Sequence, residues 1–126
     1  MFIIQKIINQ KIRFISMSQE IERIEAKTLY DAFKQNNEKQ YLKTLEISGI
    51  ATYVGPDVYA LPSVELSESE GGKSRVLCVL PFTDYFKLTK VSKKDYVIMK
   101  GNVLGFADEY DIVVVKKCEF VEIRIK

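Results

Sequence analysis

After Lys43 the apolar residues of this chain stop recurring every three or four positions and begin to alternate, and that change of period constrains the fold more than any other feature. Leu45, Ile47, Gly49 and Ala51 alternate with Thr44, Glu46, Ser48 and Ile50, which predicts a first strand. Gly49 at its centre predicts a bulge or bend, as a long strand needs if it is to serve two sides of a barrel. Gly55-Pro56-Asp57 signals a turn, and Val58–Leu66 reads as a second strand in which Pro62 fits only an edge or a bulge. Ser67–Ser74, with Glu68, Glu70 and Gly71-Gly72, is a solvated loop. Arg75–Leu80 (RVLCVL) is an unbroken apolar run, expected as a third strand buried on both faces and stopped by Pro81.

Thr83–Val91 places Tyr85, Phe86, Leu88 and Val91 as the aromatic and apolar face of a short helix. Lys93-Lys94-Asp95 turns into a fourth strand, Tyr96–Val103; Phe106–Asp111 is the next turn, and Ile112–Ile125 the last strand. Upstream, Ser18–Gln40 has helical spacing. Leu29, Ala32, Phe33 and Asn36 share one face, Ile21 and Ile24 extend the pattern, and Thr28 with Asp31 resembles a capping box. The expected architecture is therefore mainly β: a five-stranded Greek-key barrel of the OB-fold type, with an N-terminal helix and a short helix between the third and fourth strands. A two-layer α+β sandwich and a different small barrel are the alternatives.

With 126 residues, 47% of them hydrophobic, the chain suffices for one domain, 18–126, with its leading helix at 18–40. Residues 1–17 (MFIIQKIINQKIRFISM) form a separate arm, basic through Lys6, Lys11 and Arg13 and free of acids. Its interrupted apolar positions match neither a secretory signal nor a membrane span, so a cytoplasmic location is expected, and Met17 is a second candidate start. Without the arm the domain is slightly acidic, whereas a nucleic-acid domain commonly carries a strong basic excess.

No histidine occurs, which removes the commonest general base and the commonest metal ligand together. Cys78 and Cys118 lack the clustered spacing of a zinc site and read as buried free thiols or, if their strands are neighbours, as a bridge. Asp108, Glu109 and Asp111 could supply oxygen ligands to a divalent cation but read as a polar turn. No enzyme, metal or cofactor is expected.

The chain resembles the tRNA_anti-like family of OB-folds. The resemblance is carried by Leu29…Ala32-Phe33…Asn36, Tyr41, Ile47-Ser48-Gly49, Pro62-Ser63-Val64-Glu65-Leu66 and Val76-Leu77-Cys78, then by Leu88, Asp95-Tyr96-Val97, Lys100-Gly101-Asn102 and Val115-Lys116-Lys117-Cys118. It implies the barrel and its leading helix, in bacterial proteins that are often exported or lipid-anchored, and it implies no particular ligand. The chain departs from the pattern at Lys93-Lys94-Asp95, where a glycine is expected in the turn before the fourth strand.

OB-folds bind on the face of their second and third strands, between the loops joining strands one to two and four to five. Tyr53 and Tyr59 flank the first of these loops, and Phe106 and Tyr110 occupy the second, making these four the expected ligand-binding groove. Asp57, Glu65, Glu68, Glu70, Asp108, Glu109 and Asp111 surround them with negative charge, while Lys87, Lys90, Lys93, Lys94, Lys100, Lys116 and Lys117 are expected away from the groove. Carboxylates a few ångströms from a phosphate cost on the order of 1 kcal/mol per pair even in water. The leading expectation is a non-catalytic module for a protein or peptide partner, including a partner strand added at an edge. Single-stranded nucleic-acid binding is the alternative.

Overall fold

The computed structural model of the chain describes residues 20–125; the expected N-terminal arm, 1–17, lies outside them. In order along the chain are β1 (Arg23–Glu25), α1 (Ala26–Lys34), a 3-10 turn (Lys39–Tyr41), β2 (Thr44–Pro56), β3 (Pro62–Ser67) and β4 (Val76–Val79). A 3-10 segment (Phe82–Lys90), β5 (Tyr96–Ala107) and β6 (Ile112–Arg124) complete it. The sheet runs β1-β2-β3-β4-β6-β5, and β5 returns to pair with β2, closing a five-stranded barrel of the expected OB type. β4 and β6 are parallel neighbours, the other barrel pairs are antiparallel, and β1 adds a short parallel strand to β2.

β2 does serve two sides. Thr44–Ile50 pairs with β5 and Ile50–Pro56 with β3, so the strand changes partner at Ile50. The accompanying irregularity falls between Ala51 and Tyr53, not at Gly49. Gly49 answers to close approach: a Cβ there would stand 2.9 Å from the Ser67 carbonyl oxygen and 3.3 Å from the Ala26 Cβ. Inside the barrel Leu45, Ile47, Leu66, Val76, Val97, Met99, Val113 and Val115 are buried together, and Leu29 from α1 joins them.

The leading helix is shorter than the 18–40 expected. Ile24 is buried by strand pairing opposite Ile47, and the Arg23 guanidinium bridges the Glu46 carboxylate at 2.7 Å. The Thr28–Asp31 capping box does not form, because the helix begins at Ala26 after Glu25 and Asp31 instead accepts from Lys27 at 3.0 Å. Asn36, at φ 56°, lies beyond the helix end and is exposed.

β3 begins at Pro62, four residues later than expected, because Asp57 closes the preceding turn by accepting the Tyr59 and Leu61 N–H groups at 2.8 and 2.9 Å. Pro62 sits at the start of the strand, opposite Pro56, and its carbonyl accepts from Leu80 N–H. It forms no open edge for a partner strand. β5 runs on to Ala107, four residues past its expected end.

The turn that lacks the expected glycine places Lys94 at φ 83°, a region glycine occupies without strain. Lys94→Gly is expected to raise stability by about 0.5–1 kcal/mol in urea titration, the relieved backbone strain exceeding the entropy glycine adds to the unfolded chain. A lower stability would mean that the exposed Lys94–Glu70 pair at 3.9 Å outweighs that strain.

Candidate ligand groove

Alternation on a closed barrel sends every second side chain outward, and on β4 and the start of β6 those outward residues are apolar. Leu77 and Val79 leave β4 on the opposite face from the core residues Val76 and Cys78, and Val114 and Ile112 do the same on β6. Leu77 stands directly across from Val114 in the parallel β4–β6 register. With Leu104 of β5, which is 60% exposed, they floor a groove of about 650 Å³.

The groove runs between the β2–β3 turn and the β5–β6 turn. Three of the four expected aromatics line it: Tyr53 at the end of β2, Tyr59 in the first turn and Tyr110 in the second. Tyr59 is 80% and Tyr110 52% exposed, whereas the Tyr53 hydroxyl donates to the Pro56 carbonyl at 2.6 Å and is held across its own turn. Phe106 does not belong to the groove. It stacks on Phe33 and meets Tyr30 edge to face, both at 6.0 Å between ring centres, and so packs α1 onto the barrel. A register shift between Val103 and Gly105 puts Leu104 outward and turns Phe106 beneath the helix.

The electrostatics also differ from expectation. Glu65 lines the groove, but Arg75 grips it through Nε at 3.2 Å and Nη2 at 3.1 Å, and the Thr52 hydroxyl donates to it at 3.0 Å. Arg75 reaches across to donate from Nη1 to the Tyr110 carbonyl at 2.7 Å, joining the floor to the second turn. The hydrogen bond to Glu65 holds the Arg75 pKa above its ordinary value. Asp57 turns an oxygen onto loop N–H groups.

Of the acids in the second turn, Glu109 alone lines the groove. Asp111 faces α1, where it accepts from the Tyr30 hydroxyl at 2.8 Å and Lys34 at 3.1 Å, and these bonds lower its pKa. Glu68 and Glu70 line a separate depression beside Ile50. The hydrogen bond from the Ser67 hydroxyl leads the causes that bring the Glu68 pKa down to about 2.

Lys116, expected elsewhere, lines the groove; among the described residues it is the groove's cation with no ion pair. Arg75 and Leu77 escape sequence reading because they lie on the outward parity of a run, RVLCVL, that looks buried on both sides. The one available signal is apolar residues at both parities of RVLCVL, since a barrel has a single interior.

Among the described residues, no group of three acidic, cysteine or histidine side chains gathers as metal ligands. No helix there is long and apolar enough to cross a membrane.

A family model described as tRNA_anti-like matches residues 4–119. The structure is similar, with a TM-score of 0.63 and 11% identity, to a lipoprotein of Klebsiella pneumoniae provisionally described as nucleic acid-binding; the match covers 86% of this chain and 98% of that one. Two OBodies bound to hen egg-white lysozyme are more distant. NL8 has a TM-score of 0.48 and 20% identity over 66% of this chain and 98% of its own. AM3L15 has a TM-score of 0.46 and 24% identity over 65% and 78%. Among curated proteins nothing matches.

Proposed function

The chain belongs to the tRNA_anti-like family of OB-type barrels, and we propose that it is a non-catalytic module whose groove holds an extended segment of another polypeptide. The observation that carries this reading is the apolar floor, Leu77, Val79, Val114 and Leu104, set between turns that present Tyr59 and Tyr110. Apolar floors with aromatic rims and few oriented polar groups suit side chains of a partner segment. Its extended backbone can lie across the strands on the face of the closed barrel without joining a sheet edge.

Phosphate recognition asks for something else. Each neutralised phosphate needs its own cation, and here Arg75 is engaged by Glu65, leaving Lys116 against Asp57 and Glu109. The rival reading, a single-stranded nucleic acid stacked on the tyrosines, draws support from the provisional description of the Klebsiella lipoprotein.

Affinity capture with the tagged protein, followed by titration of the recovered partner, separates the two. Tyr59→Ala and Tyr110→Ala are each expected to weaken a protein partner about tenfold, the effect of losing a 1–2 kcal/mol aromatic anchor, with the thermal midpoint unchanged. The reading is overturned if labelled oligo-dT or oligo-U binds in a salt-sensitive way and the same substitutions abolish that binding.

A further inference from the structure

Cys78 on β4 stands opposite Val115 on β6, and Cys118 lies three residues beyond Val115. Strict alternation from the buried Val115 would turn Cys118 outward, alongside Lys116. Lys117 breaks the pattern: it takes φ 55°, both lysines are exposed, and Cys118 comes inside at 1% exposure. There the Cys118 thiol donates to the carbonyl of Val115, the residue facing the fully buried Cys78, at 3.4 Å, and the two free thiols share one core cluster. On β5 the facing residue is Gly101, where a Cβ would meet Cys118 Sγ at 2.5 Å and Val115 Cγ1 at 2.8 Å. A left-handed lysine and a strand glycine are both locally unfavourable. Here both let the Cys118 sulfur enter the core next to Val115, the residue that faces Cys78 across the seam.

We propose that Cys78 and Cys118 are an oxidisable pair that closes to a disulfide across the β4–β6 seam. That seam is the parallel one within the barrel, with three paired positions, and its outward residues Leu77 and Val114 belong to the groove floor. Closing the bond therefore ties the groove floor together from inside the barrel. The oxidant is a low-molecular-weight disulfide. One cysteine sulfur attacks it, and one reduced thiol departs carrying that cysteine's proton. The second cysteine then attacks the mixed disulfide, releasing a second reduced thiol with the other proton. The neighbouring Cys118 thiol and full burial push the Cys78 thiol up, so exchange proceeds while the seam is open, during folding or local opening.

The test is to refold the reduced chain in buffers of graded oxidised and reduced glutathione, then block free thiols and measure intact mass and linked peptides. A mass lower by two hydrogens, with Cys78 joined to Cys118, is expected, as is a thermal midpoint raised by roughly 10 °C over the reduced form. Two alkylatable thiols remaining in the most oxidising buffer, or stable glutathione adducts on either cysteine, would overturn the pair. A mapped bond without a rise in midpoint would overturn its role as a lock. Cys78→Ser serves as the single-thiol control; should it fail to fold, the wild-type map decides alone.

Discussion

Leu29→Ala is expected to lower the unfolding free energy by about 2–5 kcal/mol, read from the shift of the urea midpoint. Leu29 is fully buried, and α1 touches β2, β3, β4 and β6, so one side chain fills space against strands that are far apart in sequence. The truncation loses the transfer energy of the removed atoms and leaves a cavity under the helix. A helix of nine residues is too short to be stable by itself, so loosening its buried face should fray it throughout. A loss below about 1 kcal/mol would mean that the helix rests on the barrel without closing it.

The second large effect falls on Arg75. Arg75→Ala leaves the Glu65 carboxylate, 15% exposed, without its cation, and releases the Tyr110 carbonyl. Hydrogen bonds to charged groups are worth about 1.5–3 kcal/mol when buried, and the 38% exposure of Arg75 reduces this to about 1–2 kcal/mol. The functional consequence should exceed the loss of stability. With the second turn untied from the floor, Tyr110 must be reordered on binding, and affinity for the captured partner should fall at least about tenfold. Arg75→Lys should not restore it, because an ammonium cannot bond Glu65 with two donors and also reach the Tyr110 carbonyl as the planar guanidinium does. If the lysine variant binds like the wild type, the fork geometry is irrelevant and only the charge counts.

How much of this was legible in the sequence depended on how locally each feature is encoded. β4 and the start of β5 could be placed within a residue or so, because apolar runs and Pro81 mark them directly. β1 could not. Three residues cannot display a period, and Arg23–Glu25 becomes a strand only because β2 offers it a partner at Glu46–Ser48. Tyr59 and Tyr110 stand out in the sequence as aromatics in turns, and the structure leaves both exposed on the groove. Phe106 packs against Tyr30 and Phe33 instead, because the register shift before Gly105 changes which side chains face out, and such a shift leaves no trace in composition. The acidic turns looked hostile to any anion until geometry showed Asp111 turned to Tyr30 and Lys34, and Glu65 taken by Arg75.

The change of partner at Ile50 also bears on how the chain reaches this structure. β2, β3 and β4 can pair by successive neighbours, but the first half of β2 must wait for β5, with Thr44 finding Asn102 across most of the domain. Loop closure over such distances comes before any contact rewards it, so this barrel should fold in milliseconds to seconds, slowly for its size. Until β5 arrives, the inner residues Leu45 and Ile47 lie on an unpaired strand edge. A nascent or partly opened chain is therefore most vulnerable to aggregation there, at a seam none of whose paired residues lines the ligand groove.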